Sequence, residues 1–210
     1  MLVYSGMTLR VHNLSVSLDG FAAGPDQSQD NPMGVDGMAL HRWVFADRSD
    51  TEHPDADQRM LDLGTENIGA TIMGRNMFGP VRGEWPDYSW RGWWGEEPPY
   101  HHPVFVLTHH PRPPLEMVGT TFHFTDDPIE AVLDRAHEAA SGKDVRLGGG
   151  ASTVRQYLKA GLVDHLHLAV SPVILGAGEP IYDGWNISKF ERTETAGSDQ
   201  VLHVVYSKVR

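Results

Sequence analysis

Apolar and polar side chains alternate from Leu9 to Ser17 (LRVHNLSVS) until Leu18-Asp19-Gly20 interrupts them with turn chemistry, so the chain opens on a strand. Short apolar runs at Ala70–Gly74 (ATIMG) and Pro103–Thr108 (PVFVLT) predict two further buried strands, closed by Gly74 and by His109-His110-Pro111. Val145–Leu147 enters Gly148-Gly149-Gly150, after which Val154, Tyr157 and Leu158 recur at helical spacing within Ser152–Ala160. That is a strand, a glycine turn and a helix. Asp164–Val173, ended by Gly176-Ala177-Gly178, and Val201–Val209 complete the strands. Helical period is strongest over Pro128–Ala140, where Ile129, Val132, Leu133 and Ala136 share a face, with Pro128 in the first turn and Asp126 or Asp127 as the expected cap. Leu40, Trp43 and Val44 give the same period within Met38–Ala46; after an acidic interruption through Asp57 a further helix is predicted over Arg59–Asn67.

Strands that alternate with helices predict an α/β fold with a largely parallel sheet covered on both faces and antiparallel pairing near the C-terminus. Two segments fall outside the pattern. Ala22–Val35 has loop composition and is too long for a mere connector, and Gly79–Pro99 holds Trp85, Trp90, Trp93 and Trp94 among Gly, Pro and acidic residues. The tryptophans read as packing anchors or a dimer contact ahead of a lid over a flat heterocycle, because an apolar cluster needs burial before it needs a ligand. Met1–Thr8 adds little pattern.

Composition narrows the chemistry. The 210 residues suit one domain, 1–210, with one core. Without cysteine there is no disulfide framework, thiolate metal site or cysteine nucleophile. A net charge of −11 with no basic block argues against nucleic acid, so any phosphate must be held locally by backbone amides and a few arginines. No apolar run approaches the ~20 residues that cross a bilayer, and the N-terminus lacks a secretory pattern; a cytoplasmic location is expected.

Three strand ends could hold such a phosphate. The Gly148-Gly149-Gly150 turn can bring backbone close to a diphosphate at a helix start, or be a tight turn and nothing more. Arg75, at the end of ATIMG, suits a bidentate phosphate contact or a surface ion pair. Leu107-Thr108-His109-His110 offers hydroxyl and imidazole. Ligands of open α/β sheets bind outside the carboxyl ends of strands, which gives the three together more weight than each alone. Asp19 is an Asx-turn residue or a carboxylate at the same crevice. His165 and His167 share a strand face and could chelate, but no carboxylate accompanies them, and no metal is expected.

LSVSLDGFA (14–22), ATIMGR, PVFVLT, RLGGG, GLVD (161–164) and PVILG (172–176) occur in the order found in the RibD C-terminal, dihydrofolate-reductase-like family, and the chain resembles that family over nearly its whole length. The resemblance implies a three-layer α/β/α sandwich around a mixed, mostly parallel sheet, NADPH as hydride donor, a pyrimidine-like or pterin-like substrate as in riboflavin biosynthesis, and often a homodimer. Carried over, it places NADPH phosphates at Gly74, Arg75, Asn76 and Met77, the adenosine end at Leu107, Thr108 and His109, and the diphosphate at Gly148, Gly149, Gly150, Ala151 and Ser152. Arg75, Thr108, the following histidines and Arg112 would then form the 2′-phosphate pocket. Asp19 borders nicotinamide and substrate, Asp30–Gly34 resembles the closing loop, and His41 is the next candidate for proton supply after Asp19. Met38–Trp43 has no Asp or Glu where dihydrofolate reductases offer a carboxylate to the pterin, which argues against folate reduction. A heterocycle-binding protein without turnover is the rival reading.

Overall fold

The computed structural model describes residues 7–47, 55–79 and 82–209, so Met1–Gly6, most of the acidic interruption and two residues of the tryptophan loop lie outside the described part. Strand β1 (Leu9–Val16) forms where the alternation predicts it. It is joined by β2 (Ile68–Gly74), β3 (Val104–Leu107), β4 (Leu115–Met117), β5 (Thr120–Thr125), β6 (Asp144–Leu147), β7 (His165–Val170), β8 (Phe190–Gly197) and β9 (Leu202–Lys208). These make one nine-stranded sheet in the order β4-β5-β3-β2-β6-β1-β7-β9-β8. From β5 to β7 every neighbouring pair is parallel. Antiparallel pairing closes both edges: β9 and β8 at one, as expected, and the short β4 at the other.

One face of the sheet is sealed by α3 (Ile129–Ala140) and α4 (Ala151–Lys159), whose Val132, Leu133, Ala136, Val154 and Tyr157 pack on Leu9, Val11, Ile72, Val145, Leu147 and Leu166 in the main core. The other face is covered by less regular structure. α1 (Ala56–Leu63) and a 3-10 turn, Gly37–His41, lie at one end; α2 (Arg75–Phe78) and the tryptophan loop lie at the other. In that loop Trp85, Trp90 and Trp94 pack on a second core built from Phe78, Phe122 and Phe124, as an aromatic cluster that needs burial should.

Several sequence expectations are corrected. The Met38–Ala46 period gives only the 3-10 turn, which begins after Asp36 in a left-handed conformation. The helix expected over Arg59–Asn67 starts earlier, at Ala56, because Asp55 caps it by accepting from the Gln58 amide, and it ends before Gly64. Neither Asp126 nor Asp127 caps α3: Pro128 occupies the N-cap, and Asp127 accepts from Thr125 and pairs with Arg135.

Beneath α1 the sheet buries a polar chain. The Asn13 amide donates to His167 Nδ1, His167 Nε2 meets His203 Nδ1 at 3.0 Å, and His203 Nε2 meets Asp57 Oδ1 at 2.9 Å. Since the amide can only donate, neutral His167 must protonate Nε2, and the same logic places the His203 proton on Nε2, toward the carboxylate. Trp43 packs edge-on against His203 and donates to Ser15 Oγ, tying the 3-10 turn to β1. No described helix is long and apolar enough to cross a membrane.

Candidate functional site

The carboxyl ends of β1, β6, β2 and β3 lie side by side because these strands are parallel neighbours. At their centre the turn after β6 is latched to β2: the Gly148 amide donates to Ile72 O at 2.8 Å and the Gly74 amide to Gly149 O at 2.7 Å. Gly149 has φ +115°, a conformation L side chains rarely adopt. A Cβ added at Gly149 or Gly150 would meet nothing within 4 Å, so the turn faces open space, whereas a Cβ at Gly74 would strike Thr153 Oγ1. Gly74 is therefore needed for helix–strand packing, and Gly149 and Gly150 border a vacant approach to backbone. Gly150 is the N-cap of α4 and provides no side-chain cap, which leaves the first-turn amides of Ala151 and Ser152 directed at whatever enters from the crevice.

Arg75 begins α2 with its guanidinium 3.8 Å above the Trp85 ring, and Nη1 donates to Gly83 O. Nε and Nη2 are buried and have no partner among the described residues. Burial first, then Arg112 and Arg82, makes the charge costlier to hold, while Glu84 favours it. Asn76 and Met77 are partly buried, Met77 against the aromatic core. At the end of β3, Thr108 is buried; its hydroxyl accepts from the His110 amide, and His109 is exposed. Arg112 stays beside Arg75, both over the Trp85 ring, with its Nε buried and without a partner among the described residues. Its guanidinium lies over Trp85 and Phe124 and donates to the carbonyls of Trp90 and Tyr88, so it fastens the tryptophan loop.

Asp19 is exposed and clips two loops together, accepting from the Leu175 amide at 3.1 Å and the Gly176 amide at 2.7 Å. The Ser17 hydroxyl and then these amides hold its carboxyl below the ordinary aspartate range, so it acts as an acceptor at neutral pH. His41 ends the 3-10 turn; its Nε2 is buried without a partner among the described residues, and burial pushes its pKa down to about 4. It is neutral at pH 7. Among the described contacts Asp19 and His41 share no hydrogen bond. The metal-ligand pair considered from sequence is divided: His165 Nδ1 bonds Ser207 Oγ, while His167 belongs to the polar chain.

Beyond Asp19 the chain after β1 pairs with the chain after β7 through Ala22–Glu179 amide bonds and a Phe21–Pro180 bridge. The loop that follows, whose Asp30–Gly34 part is folded back by the Gly24 amide on Met33 O, borders a 390 Å³ cavity with Arg82 and Glu179 on its wall. Arg82 was not singled out by sequence, since it stands in an irregular loop with no period to orient it.

The RibD C-terminal domain model matches residues 11–204. The uncharacterized protein YyaP of Bacillus subtilis (strain 168) is 26% identical over 176 residues, covering 81% of this chain and 78% of its own. A putative riboflavin biosynthesis protein from Shewanella sp. PV-4 superposes with a TM-score of 0.67 at 20% identity, over 97% of this chain and all of that one. Dihydrofolate reductase from Enterococcus faecalis, solved with NADP(H) and RAB-propyl, superposes at 0.56 with 16% identity over the full length of both chains. The α/β arrangement, the ordered motifs and the match over nearly all of the chain agree, and the chain belongs to the RibD C-terminal domain family.

Proposed function

We propose that this protein is an NADPH-dependent reductase of a small pyrimidine-like or pterin-like heterocycle, related to the reductase step of riboflavin biosynthesis. The observation that supports it best is the open space over Gly149 and Gly150, framed by the uncapped start of α4 and the unused Nε and Nη2 of Arg75. These are a cradle and a cation suited to a phosphorylated dinucleotide in a chain of net charge −11. Gly148–Ser152 would hold the diphosphate, Gly74–Met77 further phosphate, and Leu107–His109 the adenosine end. A reduced nicotinamide, when bound, supplies a hydride.

The chain's own residues then position and exclude. Asp19, engaged with Leu175 and Gly176, shapes the rim where β1 meets the substrate side. His41, neutral at pH 7, carries no proton to give but can hold a hydrogen bond to a water, and that water supplies the proton that accompanies the hydride. The 3-10 turn Gly37–His41 offers no carboxylate to a pterin, which favours a substrate other than dihydrofolate.

Mixing the protein with NADPH and oxidised pterins, flavins or ribosylated pyrimidines, and following nicotinamide absorbance, tests the reading. Loss of absorbance with one class supports a reductase. Saturable NADPH binding with no loss across all classes would support the rival, a binding protein on the same fold.

A further inference from the structure

Three strands carry a cationic seam on the sheet face opposite α3 and α4. Arg10 pairs in register with Arg146, and Arg146 with Thr71, so the three side chains stand abreast on β1, β6 and β2. Two residues along β1, on the same face, is His12, which is buried. His102 closes the far side with its Nε2 2.8 Å from Thr71 Oγ1. The seam lies three residues before Gly74 along β2, about 10 Å below the crevice at 3.3 Å per residue.

Within this seam the charges do not balance. Arg10 is satisfied by Asp144 and by the carbonyls of Leu63 and Glu66. Asp144, its carboxylate, is also held by the Thr8 amide and hydroxyl. Arg146 has no hydrogen bond and no ion pair among the described residues, and its Nε is buried without a partner. His12 Nδ1 is buried and unpartnered as well. The charged neighbours that act on His12 are Arg10, Arg146 and His165, and the groups beside Arg146 are Arg10, His12, His102 and the Tyr100 hydroxyl, which burial keeps protonated; no carboxylate is among them. Arg146 is half-buried, with its Nε sealed from water and no counter-charge beside it, a costly arrangement in a protein that has acidic residues to spare.

We infer that the seam formed by Arg146, His12 and Tyr100 is a binding site for a phosphate-type oxyanion. The seam offers a planar guanidinium on β6, an imidazole on the neighbouring β1 and a phenol in the segment before β3, donors enough for an anion with several acceptor oxygens, as a phosphate has. A neutral imidazole can place its single proton on Nδ1 and donate. The anion is either free phosphate or the phosphate of a monoester; both use the same three donors. The site is independent of the cofactor reading, since it lies below the strand ends and uses none of the cradle residues.

The test is a titration of the 15N-labelled wild-type protein with inorganic phosphate, glycerol phosphate and acetate, following the arginine Nε–H resonances, with Arg146→Lys used to assign Arg146. The expected result is a saturable shift of the Arg146 resonance with phosphate, a dissociation constant for acetate at least 10-fold weaker, and a phosphate constant raised at least 10-fold in Arg146→Met. Tighter binding of glycerol phosphate than of phosphate assigns the site to a monoester; the reverse assigns it to the free ion. An Arg146 resonance that does not move with either phosphate, one that responds to acetate equally, or an unchanged phosphate constant in Arg146→Met overturns the inference. The wild-type resonance decides the matter even if the Met variant does not fold.

Discussion

Arg75 and Asp19 stand at the same crevice with opposite degrees of freedom. Arg75 is pinned on Trp85 yet has two buried N–H directions unused, while both oxygens of Asp19 accept from loop amides. Arg75→Ala should therefore weaken NADPH by ~1.5–3 kcal/mol, the range for a lost charge-assisted hydrogen bond, measured by calorimetric titration. An unchanged constant would make Arg75 a loop anchor like Arg112. In Asp19→Asn only one side-chain oxygen remains to accept, so amide exchange at Leu175 or Gly176 should quicken while NADPH affinity stays within about threefold, since no direct phosphate contact is removed. Exchange identical to wild type would show that the clip does not hold the loop. The position of Asp19 at a turn is legible in LDG, but its partners lie 156 and 157 residues away and no local pattern reports them. Arg112 is legible as a cation beside a strand end, but its hold on the aromatic loop is not, because the carbonyls it meets lie more than twenty residues away.

At the scale of elements, the unit β6–glycine turn–α4 is the part most fully written in the sequence, because periodicity changes from strand to helix across three glycines and each glycine has a distinct role. A Cβ at Gly150, at φ −75°, meets no atom, so Gly150→Val should retain the native circular dichroism and a folding free energy within ~1 kcal/mol of wild type while NADPH affinity falls at least tenfold. Undiminished affinity in a folded variant would remove the diphosphate from this turn. β4, β5 and β8 were not legible. β8 is an edge strand whose side chains are mostly exposed, so it lacks the apolar alternation that marks a half-buried strand, and TTFHFT in β5 is short, with Phe122 and Phe124 as its apolar positions. The tryptophan loop was legible as irregular and as a packing cluster, but not as the surface on which Arg75 rests.

For the whole molecule, the histidines set the response to acid. Burial holds His12 down to about 3 and His102 to about 4, and lowers His167 as well, against about 6.5 in an unfolded chain. The native state thus refuses protons that the unfolded chain accepts once pH falls below 6.5, and stability is lost from there down to the native values, at ~1.4 kcal/mol per pH unit for each fully buried imidazole. Urea unfolding at pH 7 and pH 5 should give a markedly lower free energy at pH 5; equal values would mean that these imidazoles take up protons as readily in the native state as in the unfolded chain. At pH 7 the proposed function requires a fold of net charge −11 to attract an anionic dinucleotide through a few local groups. The most direct measurement is the affinity for NADPH beside that for NADH, read from tryptophan fluorescence, since Trp85 lies against Arg75. The account predicts saturable quenching with NADPH bound at least tenfold more tightly than NADH; equal affinity for the two, or no binding of either, contradicts it.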